Sequence, residues 1–207
     1  MWIVAGPNGA GKSTLTNVFL ANLRKQGLPE LKKLNADEVT AALRAADPFS
    51  VQADLNLAAA RDIDTQVVSC IESGTNFLVE TVLSSDKYRD DLEHAQAAGF
   101  NVGMIYVSLH PPELSPLRVQ ERVKKGGHDV DPVTAVQRHR RSHAQLAWFA
   151  PRVDRLFVYD NSAIGGPPRL IFSKVEGKTF FYNPAIINDG VARALKSAFG
   201  QQLKGLI

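Results

Sequence analysis

Apolar residues along the chain fall into short solid runs, separated by longer stretches in which they recur every three or four positions. The solid runs Trp2–Ala5, Leu31–Asn35, Asn76–Glu80, Val102–Leu109 and Leu156–Tyr159 predict buried strands. The periodic stretches predict helices. One runs from about Lys12 to Leu23, with Leu15, Val18, Phe19 and Leu23 on one face. A second covers about Asp54 to Ser73, with Leu55, Ala59, Ile63, Val67, Cys70 and Ile71 inward and Gly74 as stop signal. A third spans about Asp86 to Ala98 and is closed by Gly99. Ser115 followed by Pro116 reads as an N-cap with proline at the first helical position, opening a helix to about Lys125. Asp131-Pro132 repeats that signature for a longer helix reaching about Phe149. The tail differs: Arg169–Ser173 and Thr179–Tyr182 flank Glu176-Gly177, a hairpin signal. A last helix follows, with Val191, Leu195, Phe199 and Leu203 inward.

Strands alternating with helices predict an α/β protein with a parallel five-stranded sheet covered by helices on both faces. The hairpin and final helix are appended to it. The 207 residues show no repeat, linker or low-complexity segment, so one domain over 1–207 is expected. Cys70 is the only cysteine, which excludes an intramolecular disulfide and a cysteine zinc site. No apolar run reaches the roughly 18 residues that span a bilayer. No basic region precedes the first apolar run, so a cytoplasmic protein with no membrane partner is expected.

Charge sharpens the picture through its placement. The net charge is +3, yet residues 118–141 hold seven Lys/Arg against three acids and are +4 by themselves. A basic segment in an otherwise near-neutral chain points to a local anion site or a solvated helix face rather than a broad nucleic-acid surface. It also lacks the interleaved aromatics that stack on bases, so nucleic acid is not the expected partner.

The strongest chemical signal is Gly6-x4-Gly11-Lys12-Ser13, which matches GxxxxGK[ST] between an apolar strand and an amphipathic helix. Glycines let successive backbone N–H groups curl around phosphates, and the helix N-terminus adds its unpaired donors. Gly6, Asn8, Gly9, Ala10, Gly11, Lys12, Ser13 and Thr14 are the candidate nucleotide contacts, with ATP and Mg²⁺ as expected cofactors. Lys12 would reach the β- and γ-phosphates, and Ser13 would help hold the metal.

This loop is shared by switches, motors and kinases. The chain lacks the Asn-Lys-x-Asp motif of GTPases and an LSGGQ-like signature before its late strand. A kinase needs a general base, an acceptor pocket and mobile cations over the transferring phosphate. Asp37 follows the second strand and Glu80-Thr81 closes the third, where ligands of parallel sheets gather. Arg118 and Arg122 share one helical face, and Arg138 and Arg141 another. Two arginine-bearing helices joined through Lys124–His128 make a lid over about 115–150. Asp37 also fits a helix N-cap, Glu80 a solvated strand end and His128 an ordinary loop position. Two alternatives to a small-molecule kinase stay open: an ATPase that drives binding or remodelling without an acceptor, and a polynucleotide kinase.

GPNGAGKSTL, NADEV, ETVLSS, YVSLHPPELSPLRVQERVKKGGHDV and VYDNS together resemble the zeta-toxin family, and more closely its short single-domain bacterial branch. The resemblance runs from about Met1 to Ser162. It implies a nucleoside-monophosphate-kinase-like fold and phosphorylation of a sugar hydroxyl, with UDP-N-acetylglucosamine as the family's best-known acceptor. It matches Lys12 to the family's loop lysine, Asp37 to its general base, Glu80 and Thr81 to its substrate segment and Arg122 to a lid arginine. Arg118, Arg138, Arg141 and His128 join the candidate substrate contacts by inference. The family's EGTGR segment reads ETVLS here, without the arginine. An antitoxin protein is the macromolecular partner the resemblance raises.

Overall fold

A computed structural model of the chain describes residues 1–124, 127, 129–175, 179–183, 185–186 and 188–200. The first half runs β1 (Trp2–Ala5), α1 (Lys12–Lys25), β2 (Lys32–Asn35), α2 (Ala36–Ala46), α3 (Gln52–Glu72), β3 (Phe77–Thr81) and α4 (Tyr88–Ala97). The second half runs β4 (Gly103–Ser108), α5 (Leu114–Val123), α6 (Pro132–Phe149), β5 (Arg155–Asp160), β6 (Arg169–Val175), β7 (Thr179–Tyr182) and α7 (Asp189–Phe199).

The strands form one sheet in the order β2-β3-β1-β4-β5-β6-β7. The first five are parallel, and β6 and β7 continue the sheet antiparallel to them. The hairpin expected as an appendage therefore lengthens the five-stranded sheet to seven. The β5–β6 pairing supplies hydrogen bonds that β5 would otherwise lack as an edge strand. β1 has its neighbours β3 and β4 on opposite sides, so the order reverses there, and ligands of open α/β sheets bind at such a point.

Side chains alternate across β1. Ile3 and Ala5 join the larger core with Ile63, Val67, Phe77, Tyr106, Phe149 and Phe172, and Val4 faces the smaller one with Leu78, Ile105 and Val107. Leu55, Ala59, Ile63, Val67, Cys70 and Ile71 of α3 are all buried, as their spacing predicts. Helix α1 is turned relative to expectation. Leu15, Phe19 and Leu20 pack against the smaller core, whereas Val18 is 52% exposed. At about 100° per residue, Val18 lies well off the arc shared by Leu15, Thr16, Phe19 and Leu20.

Two local features depart from the sequence reading. A helix, α2, follows β2 directly, capped by Asn35, whose side-chain oxygen accepts from the Asp37 N–H at 2.9 Å. Helix α5 starts at Leu114, so Ser115 lies inside its first turn; its hydroxyl donates to the Asn8 carbonyl at 2.6 Å and fixes the helix to the glycine loop. Trp148 is half-buried, with the guanidinium groups of Arg89 and Arg152 over its ring, while Phe149 is fully buried. The Glu176-Gly177 turn signal, Lys125 and Gly126 of the lid link, and Leu203 lie outside the described residues.

Candidate active site

The glycine loop leaves the end of β1 and turns into α1 at Gly11, whose φ of 90° is open to glycine at little cost. No side chain caps α1 and no acid occupies its first turn, so its N-terminal N–H groups face the cleft ready for an anion. Lys12 folds back, its ammonium donating to the Gly6 and Pro7 carbonyls at 3.0 and 3.1 Å. Burial pushes its pKa down to about 8; the Glu80 and Asp37 carboxylates pull it up, and Arg122 lowers it. Asn8, Gly9, Gly11, Lys12, Ser13 and Thr14 line a cleft of about 650 Å³. Gly6 and Ala10 lie behind that surface, serving as framework through their carbonyls.

Parallel pairing places Glu80 beside Val4 and Thr81 beside Ala5, which brings the end of β3 against the loop. Glu80 is 8% exposed, and its Oε2 accepts from the Ser13 hydroxyl at 2.8 Å. Its Oε1 has no hydrogen-bond partner and stands 3.8 Å from the Lys33 ammonium, which also pairs with Glu38. A buried carboxylate oxygen without a donor is costly unless a cation completes it. A serine hydroxyl and a carboxylate are hard oxygen ligands of the kind Mg²⁺ takes, the rest coming from water and phosphate. These residues fit the expected metal. Glu80, expected among the substrate contacts, is held against Ser13 of the glycine loop. Thr81 turns inward too: its hydroxyl accepts from the Leu83 N–H at 3.0 Å and closes a tight turn with Leu83 at φ 55°.

Asp37 lines the same cleft at the second position of α2, with its side chain 68% exposed. Asn35 takes the capping role, so the Asp37 carboxylate faces outward, 3.7 Å from the Arg122 guanidinium. Arg118, Arg122 and Arg138 all line the cleft. Arg118 is partly committed to structure, since its Nη2 donates to the carbonyls of Asn161 and Ala163 at 3.1 and 3.2 Å. Arg141 stands exposed outside the lining, because three residues beyond Arg138 turns it about 60° around α6. His128 lies outside the described residues. The cleft is further lined by Thr40 of α2, Asn56 of α3, Ser84, Ser85 and Lys87 after β3, and Tyr88 at the start of α4.

Sequence reasoning missed Asn35 and Asn161, and read Ser115 as a helix cap rather than as a tie to the glycine loop. Asn35 had a readable signal, because Asn-x-x-Glu over 35–38 has capping-box spacing. Asn161 had none: its amide reaches the Ala10 carbonyl at 2.8 Å from a loop 151 residues away in sequence.

The strand order, the loop after β1 and the carboxylates on the neighbouring strand and helix define a P-loop protein of the kinase type of fold. The chain belongs to the zeta toxin family, whose family model matches residues 1–183. No curated protein matches it. Among solved structures it is similar to a chain of the AvrRxo1-ORF1:-ORF2 complex crystallised with ATP, at 18% identity and a TM-score of 0.68, covering 89% of this chain and 60% of that one. It is also similar to a chain of the PezAT chromosomal toxin–antitoxin system of Streptococcus pneumoniae, at 16% identity and a TM-score of 0.61, covering all of this chain and 82% of that one. The chain thus spans less than two thirds of the length of the AvrRxo1 relative. Among the described residues no helix is long and apolar enough to cross a membrane.

Proposed function

We propose that the protein is an ATP- and Mg²⁺-dependent kinase that phosphorylates a hydroxyl of a small, nucleotide-linked metabolite. The observation that carries this reading is the meeting of Lys12, Glu80, Asp37 and Arg122 in one cleft, from four separate segments of the chain. The loop N–H groups and Lys12 hold the triphosphate of the donor. Ser13 and Glu80 would hold Mg²⁺, which would supply positive charge to offset that of the triphosphate. Asp37 accepts the proton of the acceptor hydroxyl as its oxygen bonds to the γ-phosphorus and the bond to the β–γ bridging oxygen breaks, releasing ADP. Arg122, beside Asp37, steadies the phosphoryl group in transit. Thr81 and the hydroxyl-bearing residues beyond it orient the acceptor, with UDP-N-acetylglucosamine as the first candidate on family membership. Family membership also supports an antitoxin-like protein as partner.

The test is incubation with labelled ATP, Mg²⁺ and a metabolite panel that includes UDP-N-acetylglucosamine. A new phosphorylated metabolite is expected; inorganic phosphate alone would favour an ATPase without acceptor. In the productive reaction Asp37→Asn lowers turnover by about 10²-fold or more, the usual worth of a general base, with ATP affinity nearly unchanged. Turnover that survives this change removes Asp37 from the mechanism.

A further inference from the structure

The glycine loop rests on the ends of β4 and β5. At Gly6 a Cβ would lie 2.0 Å from the Val107 carbonyl oxygen, so the loop begins in direct contact with the end of β4. At Gly11 a Cβ would lie 2.7 Å from Nδ2 of Asn161, just past the end of β5. The same Nδ2 donates to the Ala10 carbonyl. Asn161 is itself seated on β4, its N–H donating to the Ser108 carbonyl at 2.9 Å, and its own carbonyl receives Arg118.

Beneath this contact a buried side chain joins the two strand ends. Asn188 is 4% exposed, and its Nδ2 donates to the Ser108 hydroxyl at 3.0 Å and to Asp160 Oδ1 at 3.1 Å. Ser108 and Asp160 are the last residues of β4 and β5, paired with each other in the sheet. The Ser108 hydroxyl also bonds Nε2 of buried His143 at 2.8 Å. Asp160 is further bound by the Ser162 hydroxyl and by Arg169 at 3.0 Å. Burial pushes its carboxyl up, but the hydrogen bonds from Ser162, Arg169 and Asn188 outweigh this and hold it below the ordinary value. Asn188 is also the N-cap of α7, its Oδ1 accepting from the Val191 N–H at 3.2 Å. Helix α7 lies beyond residue 183, where the match to the family ends.

We propose that Asn188 and Asn161 are positioning residues for the nucleotide site: Asn188 locks the ends of β4 and β5 together, and Asn161, held between them, fixes the Ala10–Gly11 turn of the phosphate loop. Helix α7 then contributes to nucleotide binding without approaching the nucleotide. This rests on the loop being the nucleotide site proposed above. Asn188 uses both halves of its amide, donating through Nδ2 and accepting through Oδ1, whereas Asn161 uses its side chain as a donor to the Ala10 carbonyl.

Three variants of the full chain test it: Asn161→Ala, Asn188→Ser and the double variant. Serine keeps a capping oxygen for α7 but is too short to bridge Ser108 and Asp160. The readouts are calorimetric affinity for a non-hydrolysable ATP analogue with Mg²⁺, and melting temperature without nucleotide. Each single variant should bind the analogue about 3- to 10-fold more weakly, the scale of one lost hydrogen bond in a packed site. The double variant should bind no more weakly than Asn161→Ala alone, because Asn188 acts through Asn161. An Asn188→Ser protein that melts lower but binds like wild type makes α7 a structural prop only, and multiplying losses make the two residues independent; either result overturns the inference. Wild-type protein that binds no analogue overturns the nucleotide reading itself, a separate and recognisable outcome.

Discussion

Lys12 stands under opposing demands. Its ammonium is needed to meet phosphate, yet burial has already lowered its pKa to about 8 in the free protein. Bound phosphates favour the charged form, so nucleotide affinity should be flat below pH 8 and fall by up to about tenfold per unit above it. Binding near pH 8 should also take up a fraction of a proton, which calorimetry in buffers of different ionisation enthalpy detects. A pH-independent affinity between 7 and 9.5 would show that Lys12 does not bear on the phosphates. Without nucleotide the sign is opposite for folding: the charged form is disfavoured in the folded state below about pH 8, and that penalty is relieved as pH rises towards the ordinary lysine value, so stability rises where affinity falls. At this scale the sequence was most informative for Lys12 and Ser13, because their motif is local. It was less so for Glu80 and Arg118. Each stands at the cleft, but Glu80 faces Ser13 and Arg118 bonds two carbonyls after β5, pairings that only the fold creates.

Helix α2 shows how an element can decide what a residue means. Asp37 at the head of a helix would ordinarily be read as its cap, but Asn35 fills that position. Asn35→Ala should therefore cost about 1 kcal/mol, a fall in Tm of about 2–4 °C for a chain of this size. Asp37→Ala, exposed and outside the cap, should change stability by less than about 0.5 kcal/mol while removing turnover. Thermal melting of the two variants side by side separates a structural aspartate from a reactive one. Helices α3 and α6 were legible because their burial follows a clean 3.6-residue period and, in α6, an Asp-Pro start. Helix α2 was missed because β2 passes into it with no intervening turn residue. The hairpin was legible as a hairpin, but its continuation of the main sheet depends on pairing with β5, which no local pattern encodes.

At the scale of the molecule, most of the buried side-chain hydrogen bonds among the described residues lie where β4, β5, α6 and α7 meet. His143 is 6% exposed there, its Nδ1 donating to the His139 carbonyl and its Nε2 accepting from Ser108. Burial, reinforced by neighbouring His139, pushes its pKa down to about 4, so the folded state holds it neutral. Its contribution is fully present above pH 6.5 and is lost as pH falls from 6.5 towards 4, amounting to about 3 kcal/mol. His143→Gln should flatten the fall in stability between pH 6.5 and 5, before carboxylate protonation dominates, as urea titrations at half-unit intervals would show. An unchanged slope would assign that acid loss to other groups. The same wiring has a consequence in time. Strand β1 and its loop are made before the segments that hold them: β1 pairs with residues 78–81 and 103–106, and the loop is held by Ser115 and Asn161. At about 5–20 residues per second, synthesis delivers Asn161 roughly 8–30 s after the loop has emerged. The glycine loop is therefore among the later parts of the fold to be finished, because the Ala10 carbonyl gains its Asn161 partner only after 151 further residues have been made.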